Sequence, residues 1–155
     1  MDETRRLLDT LISAGRTLAT AESCTGGLLG KQITDLPGSS AAYLGGVISY
    51  SNEVKQKLLG VSAADLSAFG AVSEPVARQM AEGVRRTVGS DYGVGITGIA
   101  GPGSDGTQKP VGLVYIGVSD GATTLVQQFR FSGSREAVRE QACAAAVSLL
   151  LGLCR

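Results

Sequence analysis

Apolar and polar positions alternate along the chain with two different periods. Leu7, Leu8, Leu11 and Ile12 recur at helical spacing within residues 2–14, and Gly15 follows as a stop, so the chain opens with an amphipathic helix. The short run Thr17–Glu22 reads as a strand. Ser23 is placed to cap a helix over about Thr25–Asp35, which Leu36-Pro37-Gly38 breaks. Gly46–Ser51 reads as a second buried strand and Asn52–Leu59 as a helix, and Ser62-Ala63-Ala64-Asp65 has the capping-box pattern of a further short helix. Ser73, with Pro75 in the first turn, opens a longer helix to about Val88, with Val76, Met80, Val84 and Val88 spaced four apart on one face.

Tyr92–Thr97 is a third strand that runs into a glycine loop. Val111–Val118 and Thr124–Phe131 read as a hairpin around Ser119-Asp120-Gly121-Ala122. In its second strand Leu125, Gln127, Phe129 and Phe131 alternate with Val126, Gln128 and Arg130, as a half-buried strand requires. Ser134 caps a final helix rich in Ala and Leu. This order predicts a single α/β domain over residues 1–155, its mixed sheet built from parallel crossovers plus a late antiparallel hairpin and flanked by helices.

With 155 residues, 43% of them apolar and 18% charged, the chain can bury a core and is not disordered. Formal net charge is zero, which gives no basic footprint for nucleic acid. No run approaches the roughly 18–20 apolar residues of a membrane span, and the N-terminal helix lacks a signal-peptide core. The expectation is a soluble, cytoplasmic protein with neither nucleic acid nor membrane as partner.

The chain has no histidine. That excludes Ser–His and Cys–His catalysis and any histidine-ligated metal. Cys24, Cys143 and Cys154 form no CxxC pair and no metal-ligand spacing; no metal site is expected. The 22 glycines cluster in CTGG, YLGG and GVGITGIAGPGSDG, between strand-like runs, where backbone turns tightly or approaches a ligand.

Four stretches carry the remaining chemistry. In Glu22-Ser23-Cys24-Thr25-Gly26-Gly27, a helix start offers free N–H donors to an anion, with Ser23 and Thr25 adding hydroxyls; plain capping would give the same residues. Cys24 is a minor candidate nucleophile there. Ser39 and Ser40 lie before the second strand, with Tyr50 and Lys55 beyond it. A lysine of lowered pKa can serve as base for a serine, although a turn serine and a solvated lysine read identically. Thr97 and Gly98 open a glycine loop at a strand end, where open α/β sheets bind ligands. Arg135, with Arg139 one turn on, suits an anionic group near a helix start.

Read together, TAESCTGG, GSS, SYSNEVK, GAVSEPVA, GITGIAGP and KPVG in that order closely resemble the CinA C-terminal domain family. Members of that family act as nicotinamide mononucleotide deamidases. The resemblance runs from about residue 17 to 139 and implies cofactor-free hydrolysis of nicotinamide mononucleotide to nicotinic acid mononucleotide and ammonia by a serine–lysine arrangement. It implies Ser40 as nucleophile, with Ser39 in the same GSS motif and Ser23 at the helix start as the alternatives, Lys55 as base and Tyr50 assisting. Ser23, Thr97 and Arg135 match further site positions, with Thr25, Gly26, Gly27 and Gly98 beside them. It also favours a homo-oligomer. The competing reading is a non-catalytic nucleotide-binding or regulatory module.

Overall fold

A computed structural model describes residues 2–154. Helix α1 (Glu3–Ala14) precedes strand β1 (Leu18–Glu22) and helix α2 (Leu28–Thr34), and a short 3₁₀ turn (Ser39–Ala41) leads into β2 (Tyr43–Ile48). Helices α3 (Asn52–Leu59), α4 (Ala63–Phe69) and α5 (Glu74–Val88) follow in succession. The chain then forms β3 (Tyr92–Gly98), β4 (Leu113–Ser119), β5 (Thr124–Arg130) and α6 (Arg135–Cys154). The five strands make one sheet in the order β2-β1-β3-β4-β5. β1 pairs parallel with both β2 and β3, whereas β3–β4 and β4–β5 are antiparallel. The mixed sheet expected from the order of elements is the one observed.

Strand alternation assigns the two faces. Leu18 of β1, Val94 and Ile96 of β3 and Val114, Ile116 and Val118 of β4 pack under α1, α2 and α6. Ala19 and Ala21 point the other way, to Leu59, Leu66, Val76, Met80 and Val84 of α3, α4 and α5. α5 presses so closely on this second face that a Cβ at Gly95 would stand 2.6 Å from Met80 Cβ and 2.9 Å from the Ala77 carbonyl oxygen. Helix α6 is long and apolar enough to cross a bilayer by length and composition. It is instead a core helix, burying Val138, Ala142, Cys143, Ala146, Val147, Leu150 and Leu151.

Two boundaries differ from expectation in ways that matter for the site. Residues 23–27 form turns rather than the start of a helix, with Gly26 and Gly27 at φ of 59° and 103°. Ser23 therefore does not cap α2. The buried carboxylate of Glu22 takes the Leu29 and Gly30 N–H groups (2.9 and 3.0 Å) that a cap would otherwise satisfy. β2 begins at Tyr43 and ends at Ile48, three residues ahead of the expected Gly46–Ser51. Its Gly45-Gly46 pair has the look of a turn, yet both residues pair with β1.

Candidate active site

β1 leads into α2 on one face of the sheet, and β2 leads into α3 on the other. The two adjacent parallel strands thus part at their C-terminal ends and open a crevice, the usual ligand position in open α/β sheets. The crevice holds a cavity of about 410 Å³ whose lining includes Ser23, Tyr50, Asn52, Lys55, Thr97 and Arg135.

Lys55 is 1% exposed, yet among the described residues it has no acidic partner within salt-bridge distance. Ser51 caps α3 through Val54 N–H (3.1 Å) and so fixes the first turn of the helix that carries it. From there Nζ donates to Ser23 Oγ at 3.0 Å, to the Ser49 carbonyl at 2.7 Å and to the Tyr50 carbonyl at 3.3 Å. Burial without a counter-charge lowers its pKa from 10.5 to about 8, with only a small opposing effect from Cys24. Ser23 is held on the other side of the crevice, its N–H on the Ile96 carbonyl at 3.0 Å. The result is a serine hydroxyl against an amine whose pKa burial has brought down to about 8.

The serine beside Lys55 is Ser23, and this corrects the pairing with Ser40. Ser39 and Ser40 lie in the 3₁₀ turn at the N-terminal end of β2, with Ser40 exposed and Ser39 buried in that turn. Six residues of strand, roughly 17 Å at about 3.3 Å per step, separate them from the crevice at the other end. Cys24 lines the cavity, but burial pushes its thiol up to about 11, which argues against a thiolate nucleophile.

The other expected positions divide. Tyr50 holds Lys55 through its main-chain carbonyl, while its exposed phenol oxygen accepts from Arg135 Nη2 at 3.4 Å. Arg135 Nη1 donates to the Gly101 carbonyl at 2.8 Å, so this arginine ties the glycine loop to the crevice rim. Thr97 and Gly98 line the cavity, and Thr97 Oγ1 donates to the Ala71 carbonyl at 2.8 Å. Thr25 is fully buried, with its hydroxyl on Glu22 Oε1 at 2.6 Å, and neither it nor Gly26 and Gly27 lines the cavity. Arg139, the alternative to Arg135, sits behind the turn with Nη2 on the Thr25 carbonyl at 2.8 Å.

Sequence reasoning passed over Ser49, Asn52, Asp105 and Thr107. Ser49 contributes a carbonyl, a group that every residue has, so no signal marked it. Asn52 was within the SYSNEVK motif and could have been found there. Asp105 and Thr107, in the glycine loop, reach the cavity through a turn in which the Asp105 carboxylate accepts from Thr107 N–H at 3.0 Å.

The fold and crevice define an α/β protein with a lysine-paired serine at the C-terminal edge of parallel strands. The chain belongs to the CinA C-terminal domain family, whose model matches residues 2–154. A "CinA-like protein" of Gloeothece citriformis is 60% identical over 110 residues, 71% of this chain and 26% of that protein. A second, from Syntrophomonas wolfei, is 50% identical over 140 residues, 90% of this chain and 34% of the relative. This chain therefore spans about a third or less of those two relatives. Among solved structures, the competence/damage inducible protein CihA of Agrobacterium tumefaciens superposes with TM-score 0.95 at 36% identity, covering 99% of this chain and 94% of its own. A CinA superfamily protein of Klebsiella pneumoniae gives 0.95 at 35%, covering 98% and 95%.

Proposed function

We propose that this chain is an amidohydrolase that converts nicotinamide mononucleotide to nicotinic acid mononucleotide and ammonia, with Ser23 as nucleophile and Lys55 as general base. The observation that carries this reading is the environment of Lys55 Nζ, which lies 3.0 Å from Ser23 Oγ and against two main-chain carbonyls. A neutral amine has two N–H donors and one lone pair. With the two donors on the Ser49 and Tyr50 carbonyls, the lone pair faces the serine hydroxyl.

Lys55 takes the Ser23 proton as Oγ attacks the carboxamide carbon, and the C=O π bond becomes an oxyanion. The Cys24 N–H follows the nucleophile directly on a residue that lines the cavity and makes no main-chain hydrogen bond among the described residues, so it is placed to meet that charge. Collapse of the intermediate breaks the C–N bond, and Lys55 returns its proton to the leaving nitrogen, releasing ammonia. Water, deprotonated by the same amine, then cleaves the acyl-serine and restores Ser23. Arg135, exposed at the rim, supplies the positive charge for the substrate phosphate.

The test is ammonia release from nicotinamide mononucleotide by wild type, Ser23→Ala, Lys55→Met and Ser40→Ala. The first two variants are expected to lose activity by about a thousandfold or more, as when any member of a nucleophile–base unit is removed, and Ser40→Ala to keep it. An inactive wild type, or loss in Ser40→Ala with Ser23→Ala active, would overturn the reading.

A further inference from the structure

Glu22 is 2% exposed, and among the described residues no basic side chain lies within salt-bridge distance of its carboxyl group. A buried carboxyl group needs hydrogen-bond partners, and those of its side chain all lie in the turn after Ser23 and the helix start that follows. Oε1 accepts from Thr25 Oγ1 at 2.6 Å and from Leu29 N–H at 2.9 Å, and Oε2 accepts from Gly30 N–H at 3.0 Å. Its main-chain carbonyl accepts from Ser49 N–H at 2.8 Å, and the carbonyl of that same Ser49 holds Lys55. One residue is therefore bolted by its side chain to the turn after the serine and by its backbone to the support of the lysine. Arg139 of α6 closes the turn from behind through the Thr25 carbonyl.

We propose that Glu22 and Thr25 are positioning residues for the reaction. Their buried carboxylate–hydroxyl contact holds the 23–27 turn so that Ser23 Oγ stays on Lys55 and the Cys24 N–H stays turned to the cavity. This rests on Ser23 being the nucleophile. Without the contact, the turn, which contains two left-handed glycines, Gly26 and Gly27, is held only by its main-chain bonds and by Arg139 on the Thr25 carbonyl, none of which fixes the Thr25 side chain. A displacement of about 1 Å at a reacting group lowers rate by roughly a hundredfold.

Thr25→Val removes the hydroxyl at nearly constant shape, and Thr25→Ser restores it without the methyl. Two readouts are taken on folded protein: kcat and KM for ammonia release, and the rate at which a fluorophosphonate labels Ser23. Thr25→Val is expected to lower kcat and the labelling rate together by about ten- to a hundredfold with KM within about twofold, and Thr25→Ser to recover most of both. A helix-stabilising role alone would lower the melting temperature of Thr25→Val and leave kcat and labelling unchanged, and that result overturns the proposal. So does Thr25→Ser behaving like Thr25→Val, because the methyl packing would then be responsible. If wild type is labelled at Ser23 but releases no ammonia, the substrate assignment fails, and the labelling ratios still decide the positioning role. If Ser23 is never labelled and no ammonia appears, the nucleophile assignment and this proposal fail together.

Discussion

Lys55 gives a stability signature that can be measured without knowing the substrate. Burial lowers its pKa from 10.5 to about 8, so between those values the unfolded chain binds more protons than the folded one. Stability must then rise with pH through this window. Below about 8 both states carry the charge and the unfavourable term is at full size, about 3 kcal/mol; by pH 9 it has fallen to about 2 kcal/mol. Replacing Lys55 by Met leaves the Ser49 and Tyr50 carbonyls without their donor, a loss that does not vary with pH. The stability difference between wild type and Lys55→Met therefore contains an unknown constant, but its change with pH does not. Wild type should gain about 1 kcal/mol on Lys55→Met between pH 7 and 9, read by urea unfolding of both proteins at the two pH values. The cysteine thiols titrate in both and largely cancel. A difference that stays constant, or that moves the other way, would mean that Lys55 is charged and well solvated in the folded protein, and the base assignment would fall with it.

The same ionisation governs rate. Activity should follow the neutral amine, with kcat/KM climbing through about pH 8 and levelling above it; a profile flat between pH 6 and 9 contradicts a Lys55 base. Gly95→Ala places a Cβ 2.6 Å from Met80 Cβ and should destabilise by about 1–3 kcal/mol through overpacking of α5, seen as a lower denaturation midpoint. Ser51→Ala removes the cap of the helix bearing Lys55 and should lower stability by about 1 kcal/mol, or about 3 °C in Tm for a chain of this size.

Local pattern was enough for much of this molecule. The helical spacing of Val76, Met80 and Val84, the Ser62–Asp65 cap and the late hairpin all depend on neighbours within a few residues; the first two appear where the pattern put them, and the hairpin strands to within two residues. Lys55, Tyr50, Thr97 and Arg135 were visible for the same reason, because their motifs are contiguous. The serine partner was not. Ser40 lies fifteen residues from Lys55 in the chain and Ser23 thirty-two, so sequence distance favours the wrong one. Parallel pairing of β1 with β2 reverses that order. A right-handed crossover must return the chain to the starting edge of the sheet before the next strand begins, which leaves Ser39 and Ser40 at the N-terminal end of β2. The residues that follow the two parallel strands, Ser23 after β1 and Ser49, Tyr50 and Lys55 after β2, then meet at the opposite end. The sequence alone determined the elements and most of the chemical groups; only strand pairing, a long-range interaction with no local trace, decided which serine meets the lysine.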